Sequence, residues 1–162
     1  MKDANYWVNQ LHLLPHPEGG FYKEMFRSEK NFVPSEINAS RNYITSIYFL
    51  IEAENVSHFH SIQQDELWYY HDGAALIVYI LNENGKLEEI KIGPNPENGE
   101  VLQAVVPANK IFGSLSSGAF SLVSCVVAPG FDFADFKLYP KKELLERFPQ
   151  HKTIIEKLGM EM

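Results

Sequence analysis

Apolar and polar residues alternate along most of the chain in short runs, a pattern that is typical of half-buried β-strands. Such runs cover residues 21–26, 42–51, 66–70, 74–81, 87–92, 102–106 and 120–127. Turn-forming residues separate the runs, and residues 82–85 have the composition of a hairpin turn. Many short strands without helices between them predict an all-β protein, built as a sandwich or barrel of antiparallel strands.

The two ends of the chain have a helical period instead. Apolar residues recur at helical spacing over residues 3–14, where Asp3 is a candidate N-cap and a run of helix breakers over residues 15–20 follows. Two further short helices are predicted within residues 140–158. We expect one domain, with the barrel over about 20–138 and with the helices covering a face or an edge of its sheets.

Composition narrows the range of partners. The chain has 162 residues and a net charge of −7, which disfavours binding to the phosphate backbone of nucleic acids. No apolar run is long enough to cross a membrane and no secretory leader is visible, so we expect a cytoplasmic protein. No dinucleotide-binding loop or P-loop occurs, so no nucleotide cofactor is expected. The single cysteine, Cys125, lies in an apolar run and is expected to be a buried structural thiol.

Candidate chemistry is concentrated in two histidines and one glutamate. On a strand, His58 and His60 would project from the same face, because side chains alternate with period two. With Glu66 from the next strand, they would form a 2-His-1-carboxylate ligand set for a divalent metal ion. Without a metal, the same groups are suited to acid–base catalysis. We therefore expect these three residues to share one pocket, as catalytic residues or as metal ligands.

Other polar and aromatic side chains are candidates for substrate binding. Trp68 and Tyr70 share the face of Glu66 by parity, where they would either offer aromatic surface to a sugar or heterocycle or form plain core. Arg41 would either clamp a phosphate or carboxylate or be a surface charge, and Tyr48 is a candidate phenolic acid.

The loop after the first helix is a second candidate cluster. His16 and Glu18 stand among prolines and glycines, in a segment that either frames a ligand or merely ends the helix and starts a strand. Glu24 and Arg27 follow at opposite parity, so both cannot face inward on an unbulged strand.

Residues 54–73 resemble the first cupin motif, in which a His-X-His pair is followed by a glutamate and, seven residues later, by a glycine. Here His58, His60, Glu66 and Gly73 take those places, with one residue more between the second histidine and the glutamate than the motif has.

The second cupin motif, Pro-X-Gly-X-X-His, is matched only in part. Pro107 takes the place of its proline, but Asn109 replaces the glycine and Phe112 replaces the histidine that completes the cupin metal site. A phenyl ring cannot coordinate a metal ion, so this departure weakens the expectation of a bound metal.

Four longer segments, at residues 15–22, 47–50, 65–68 and 127–136, resemble in order the poorly characterised cupin-5 family. The resemblance implies a jelly-roll barrel, commonly dimeric, with a polar pocket at its mouth. It also implies a likeness to the sugar-nucleotide epimerases of the rhamnose pathway. We accordingly expect a homodimer, in which an N-terminal arm over residues 21–26 is the candidate for pairing between copies.

Three functions fit these observations. The first is a cupin that binds a small sugar-like or anionic molecule and epimerises or isomerises it by acid–base chemistry of His and Glu. The second is a metal-dependent cupin oxygenase with a 2-His-1-carboxylate site. The third is a ligand-binding cupin without catalysis. The fold cannot decide among them, because the same barrel supports many functions.

Overall fold

The computed structural model describes residues 2–162, and its main elements are strands that pair in antiparallel sheets. The first sheet contains, in order across it, β1 (Leu14–Pro15), β2 (Phe21–Arg27), β5 (Thr45–Glu52), β12 (Phe120–Ala128), β7 (Asp65–Gly73) and β10 (Gln103–Val106). The second contains β13 (Lys137–Leu138), β6 (Ser57–Ser61), β11 (Ile111–Ser116), β8 (Leu76–Leu81) and β9 (Leu87–Ile92). A short ribbon pairs β3 (Asn31–Phe32) with β4 (Arg41–Asn42).

The remaining elements are short helices. They are α1 (Ala4–Leu11), α2 (Lys141–Arg147), α3 (Lys152–Leu158) and three 3-10 turns at Pro96–Asn98, Phe133–Asp135 and Pro149–His151. Among the helices of residues 2–162, none has the length and apolar character needed to span a membrane.

Three apolar clusters explain how the layers stack. The inner cluster lies between the two sheets and includes Phe49, Trp68, Val78, Ile92, Phe112 and Val123. A second cluster joins the outer face of the second sheet to α2 and α3, through side chains such as Phe59, Leu115, Leu144 and Ile155. A third joins α1 to the outer face of the first sheet, where Trp7 and Val8 pack near Leu50 and Leu122. The expected jelly-roll sandwich with helices over its sheet faces is therefore confirmed.

The ends of α1 follow from its sequence. The Asp3 carboxylate accepts a hydrogen bond from the Tyr6 backbone N–H at 2.8 Å, as expected for an N-cap. The helix ends at Leu11, earlier than the pattern predicts, because His12 adopts a left-handed conformation with φ of 55°. The indole N–H of Trp7 donates a hydrogen bond to Asp72 at 2.7 Å, which connects α1 to the first sheet.

Strand β11 is not among the predicted strands. Phe112 belongs to the inner cluster, whereas Ile111 and Leu115 belong to the outer one, and the residues between them are also buried. Because both faces of this strand are covered, its sequence lacks the alternation that identifies half-buried strands.

Two β-bulges interrupt the period-two pattern at places that matter for the site. On β2, Glu24 pairs with Ile47 and Phe26 with Ser46, so that Met25 is an extra residue. On β6, Ser57 and His60 are three residues apart, whereas their partners on β11, Ser114 and Phe112, are only two apart. A bulge of this kind shifts all later side chains to the opposite face. Residues three apart, rather than two apart, therefore face the same side across each bulge.

Arg41 is a structural residue in this fold rather than part of a pocket. Its guanidinium is buried and donates to both carboxylate oxygens of Asp135, at 2.7 and 2.6 Å. Gln64 donates to the same carboxylate at 2.6 Å. Hydrogen bonds from Arg41 hold the pKa of Asp135 below its ordinary value. The expectation that Arg41 clamps a ligand is corrected, because its fork is already occupied.

We expect Arg41→Met to lower the free energy of unfolding by about 3 kcal/mol, because Asp135 would be left buried without its guanidinium. Chemical denaturation at neutral pH measures this loss. Arg147→Met is the matched control, since Arg147 pairs with Glu143 on the surface and its loss should cost only about 0.5 kcal/mol. Equal losses in the two variants would contradict the structural role of Arg41.

Candidate functional site

A cavity of about 350 Å³ lies against the first sheet and is closed on one side by the segment after β12. Its titratable side chains include His16, Glu18, Glu24, Arg27, His60, Glu66 and Cys125. Its aromatic side chains are Tyr22, Phe49, Phe131, Phe133 and Phe136. Apolar walls with a few converging polar groups are typical of small-molecule sites.

A tight turn brings Glu18 into this cavity. Gly19, the next residue, has a φ of 103°, and a Cβ atom there would lie 1.9 Å from the carbonyl oxygen of Val56. Only glycine can take this conformation at this distance from another backbone segment. The Glu18 carbonyl also accepts a hydrogen bond from the His58 N–H at 2.6 Å. The turn between β1 and β2 is thereby fixed against the start of β6.

Glu18 and His60 form a buried ion pair. The His60 Nε2 lies 2.9 Å from Glu18 Oε2, and Ser57 donates to Glu18 Oε1 at 3.0 Å. The other ring nitrogen, Nδ1, lies 2.7 Å from the backbone carbonyl of His58 and must carry a hydrogen, because a carbonyl oxygen can only accept. The contact at Nε2 then requires one more proton, shared between the ring and the carboxylate.

The electrostatics favour placing that proton on the imidazole. Burial, the largest influence, opposes the charged form of His60, but Glu18, the His58 carbonyl and Glu66 together outweigh it and the pKa of His60 is raised. Burial is also the largest influence on Glu18 and works to raise its pKa, yet His60, His16 and Ser57 together outweigh it and the pKa of Glu18 is lowered. The pair is therefore an imidazolium facing a carboxylate.

Glu66 is a deeply buried carboxyl group of the cavity without a salt bridge to a cation. It is only 9% exposed, and within residues 2–162 no Lys, Arg or His makes a salt bridge to it. Burial, reinforced by the charge of Glu18, raises the pKa of Glu66 to about 7. Cys125 is a buried thiol that also lines the cavity, and burial raises its pKa well above the ordinary range, which fits the predicted structural role.

His16 is held as a neutral ring. Its Nδ1 accepts a hydrogen bond from the Glu18 backbone N–H at 3.1 Å, so the hydrogen of the neutral imidazole is on Nε2. Burial lowers the pKa of His16. The ring of Tyr22 meets it edge to face, with centroids 4.6 Å apart. His16 thus contributes an N–H donor that keeps the same tautomer over the neutral pH range.

Glu24 and Arg27 both line the cavity, because the bulge at Met25 places them on one face. The Arg27 Nε and Nη2 donate to Glu24 Oε1 at 3.0 and 2.6 Å. Its Nη1 donates to Asn42 Oδ1 at 2.8 Å and to the Phe131 carbonyl at 3.0 Å. The expectation that only one of the two residues faces inward applied to an unbulged strand and does not hold here.

The segment after β12 supplies the aromatic wall. The rings of Phe131 and Phe133 have centroids 4.9 Å apart at an interplanar angle of 83°, and Phe136 packs edge to face against both. Asp132 accepts a hydrogen bond from the Ala134 N–H at 2.8 Å and so shapes the turn. The Phe133 ring is half exposed, so this wall reaches the solvent, as do Glu24 and Arg27 on β2.

Four of the predicted site residues meet in this cavity, namely His16, Glu18, His60 and Glu66. His58 does not join them. Its Nδ1 donates to the carbonyl of Leu158 at the end of α3, at 3.2 Å, because the bulge in β6 turns it away from the face of His60. The predicted shared face of His58 and His60 is corrected: the inward pair on this strand is Ser57 and His60.

Three aromatic candidates lie outside the cavity lining. Trp68 shares the inward face of Glu66, as parity predicts, but is buried in the inner cluster. The Tyr70 hydroxyl donates to the Gly73 carbonyl at 2.7 Å. Tyr48 lies on the opposite face of β5 from the cavity residues Ile47 and Phe49, with its ring near α1. The structure gives these side chains packing contacts in place of the predicted ligand contacts.

The residues present do not fit the metal ion that the cupin resemblance implies. Phe112 packs on His60 with centroids 4.3 Å apart, and the Nε2 of that histidine is taken by Glu18. Over residues 2–162, no group of three or more His, Cys, Asp or Glu side chains is arranged to hold a metal ion. The ligand set of His58, His60 and Glu66 does not assemble, because His58 is turned towards Leu158 and away from the cavity.

Several cavity residues are not among the predicted site residues. Glu24 and Arg27 share a face only because of the bulge at Met25, which no residue pattern predicts, whereas parity on a regular strand allows only one of them to face inward. Phe131 and Phe133 look like ordinary core residues, but together with Phe136 their spacing of two and then three residues fits neither a regular strand nor a helix. That irregular spacing beside Pro129 is the signal that could have marked a functional loop.

The similarity between this chain and two proteins of known structure covers nearly its whole length. A protein of Shewanella oneidensis, SO0799, has a crystal structure that shares 42% sequence identity, with a TM-score of 0.93 over the full length of both chains. A hypothetical protein from Leishmania major shares 36% identity with a TM-score of 0.90, over 98% of this chain and 99% of that one.

A curated protein of Saccharomyces cerevisiae, the uncharacterised protein YML079W, is 32% identical over 79% of this chain and 71% of its own length. The family model described as "Cupin superfamily (DUF985)" matches residues 5–139. The turn that presents Glu18, the strand that carries His60 and the aromatic wall all lie within this range. The chain belongs to the DUF985 family of the cupin superfamily.

Proposed function

We propose that this cupin is an isomerase or epimerase that transfers a proton on a small hydroxylated carbonyl compound of the sugar class. The observation that carries the proposal is Glu66, a buried cavity carboxyl whose pKa is raised to about 7. A general acid–base works best when its pKa is near the working pH, because both protonation states are then available. Aromatic surface in the same cavity suits the apolar face of a sugar ring.

The chemistry needs one base and one fixed hydrogen-bond donor. The Glu66 carboxylate takes a proton from the carbon next to the substrate carbonyl, and the electron pair of that C–H bond moves to form an enolate. The His16 Nε2–H, held in the neutral tautomer by Glu18, donates to the developing oxyanion. In an isomerase, protonated Glu66 then returns the proton on the same face to the former carbonyl carbon, and the proton of the adjacent hydroxyl passes to the oxyanion, so that the carbonyl moves by one carbon. In an epimerase, a water molecule protonates the original carbon from the other face of the enolate, and Glu66 releases its proton to solvent.

The ion pair of Glu18 and His60 influences the pKa of the base, Glu66, without itself exchanging a proton with the substrate. The charge of Glu18 is one of the causes that raise the pKa of Glu66. Because Glu18 already holds a proton donor at each carboxylate oxygen, it is poorly placed to accept a substrate proton itself. We assign it the role of setting the proton affinity of Glu66, a division of labour found where two carboxyls do different tasks.

A non-catalytic ligand-binding cupin is the alternative that the test must distinguish. We expect the wild-type protein, incubated in D2O with a panel of free aldoses and ketoses, to introduce deuterium next to the carbonyl of at least one sugar. Glu66→Gln should slow this exchange about 100-fold or more, because the amide cannot act as a base. Proton NMR measures the exchange. Glu29→Gln, which removes an exposed carboxylate, is the control and should exchange at the wild-type rate.

Saturable sugar binding without deuterium exchange would overturn the enzymatic proposal in favour of a binding protein. Exchange that persists in Glu66→Gln would overturn the assignment of the base. Metal analysis of protein purified without an affinity tag tests the oxygenase, for which a stoichiometric iron or manganese content would be required.

The pH dependence of stability provides a test that needs no substrate. Glu66 has a pKa of about 7 in the folded protein, against an ordinary value of 4.5. The folded state therefore binds this proton more tightly than the unfolded state does. Its contribution is fully present below pH 4.5 and is lost as the pH rises to about 7, which amounts to about 3 kcal/mol. Glu66→Gln should gain about that much relative to wild type between pH 4.5 and pH 8.

Urea denaturation of both proteins across this pH range measures the difference, and Glu29→Gln again serves as the control. Other groups titrate in the same range, and those distant from Glu66 are common to both proteins and cancel in the comparison. His60, whose pKa the charge of Glu66 helps to raise, is coupled to it and contributes to the difference. A constant difference between wild type and Glu66→Gln would show that the carboxyl titrates in its ordinary range.

We also propose that two copies associate through the outer side of β2 and the β3–β4 ribbon. Large apolar side chains are exposed there, namely Met25, Phe26, Phe32, Val33 and Tyr43. A surface of this kind is a typical interface feature. Light scattering should give twice the chain mass of 18.5 kDa for wild type and a monomer for Phe26→Lys. Val105→Lys, an exposed valine on β10, is the control; a monomeric wild type at micromolar concentration would contradict the proposal.

A further inference from the structure

The positive charges of the cavity are already engaged by its own carboxylates. Among the described residues lining it, Arg27 and His60 are the cationic groups, beside the neutral His16. His60 faces Glu18 at 2.9 Å, and Arg27 faces Glu24 at 2.6 Å. A ligand anion entering this cavity would find each cation with a carboxylate already in contact.

Arg27 has almost no hydrogen-bonding capacity left for a ligand. A guanidinium carries five N–H groups. The Nε–H and one Nη2–H point to Glu24, and both Nη1 hydrogens are taken, by Asn42 and by the carbonyl of Phe131. One Nη2–H remains. Recognition of a carboxylate or phosphate by arginine normally uses two parallel N–H groups on one edge of the guanidinium, and no such edge is open here.

The remaining side chains add to this discrimination. Glu66 has no cation of its own, and its ionised form would repel a second anion. Arg41, which the sequence suggests as an anion clamp, is bound to Asp135 outside the cavity. The cavity therefore offers hydrogen-bond donors and aromatic surface but no free cation.

We propose that Glu24 is a specificity-determining residue: by holding Arg27, it makes the site reject anionic substrates. The substrate is then a free sugar-like carbonyl compound, carrying neither phosphate nor carboxylate. That the bound molecule is a substrate rests on the proposed function, but the selection against anions is a property of binding alone. It narrows the two ligand classes suggested by the sequence, sugar-like or anionic, to the first.

The bulge at Met25 is what makes this arrangement possible. On a regular strand, Glu24 and Arg27 would face opposite sides, and an inward Arg27 would keep its fork free. The extra residue places both on the cavity face, where the Arg27 side chain, 37% exposed, also donates to Asn42 and to the Phe131 carbonyl. The selection therefore depends on a backbone irregularity together with one carboxylate.

Inorganic phosphate is a suitable probe, because it tests Arg27 without requiring the substrate. We follow the Arg27 Nε–H signal and the backbone amides of Phe131 and Phe133 by NMR during a phosphate titration at pH 7. Wild type should show no saturable shift up to about 50 mM phosphate, in the range of very weak binding. Glu24→Gln, which removes the charge that engages Arg27, should show saturable binding with a Kd of about 5 mM or below, at least about tenfold under the wild-type limit.

Two controls assign the effect. Glu29→Gln removes one negative charge from an exposed position near the same strand and should behave as wild type. The double variant Glu24→Gln/Arg27→Met should lose the gain, because the binding cation is gone. Saturable phosphate binding to the cavity of wild type would overturn the proposal. So would an unchanged affinity in Glu24→Gln, or a gain that survives in the double variant.

This titration does not depend on turnover, so its outcome is separable from that of the proposed function. Phosphate binding can be measured equally in the Glu66→Gln background, where deuterium exchange should be lost. Failure of the exchange experiment leaves the charge selection intact as a property of a binding protein. Failure of the phosphate experiment leaves proton transfer by Glu66 intact, with an anionic substrate.

Discussion

The buried ion pair between Glu18 and His60 is the interaction on which the site depends. It joins the turn between β1 and β2 to strand β6, two segments that belong to different sheets of the sandwich. Its geometry is fixed from both sides, by Ser57 on the carboxylate and by the His58 carbonyl on the imidazole. Removal of one member of a buried ion pair leaves the other charge buried without a partner, which strongly destabilises the folded protein. Neither Glu18 nor His60 can therefore be substituted alone without a large loss of stability. The negative member of the pair then raises the proton affinity of Glu66.

Two backbone irregularities determine which side chains reach this pair. The bulge in β6 turns His60 inward and His58 outward, and the bulge in β2 brings Glu24 and Arg27 to the same face. Bulges are frequent beside active sites because they redirect a side chain without disturbing the rest of the sheet. The chemistry of the cavity is thus set by local departures from a regular sheet, whereas its stability comes from the regular part.

The same distinction explains what could be predicted from the sequence. The sandwich, the terminal helices and Glu66 follow from alternation and period, which are properties of regular elements. The roles expected of His58 and Arg41 assumed that their side chains point into the pocket, and tertiary structure changes both. A bulge turns His58 towards Leu158, and Asp135 binds the guanidinium of Arg41. A bulge depends on pairing between distant strands, so no local pattern in β2 or β6 contains it.

The position of Phe112 shows how a cupin barrel can hold a different chemistry. In the motif that the chain resembles, this position carries a metal ligand; here a phenyl ring packs on His60, and the carboxylate of Glu18 takes the free nitrogen of the imidazole. A carboxylate of the chain thereby occupies the coordination direction that a metal ion would need. The Glu18 carboxylate and the His60 imidazolium have a net charge of zero. The pair therefore does not polarise a substrate as a divalent metal ion would. Proton transfer by a carboxyl of tuned pKa is the chemistry that such a site retains.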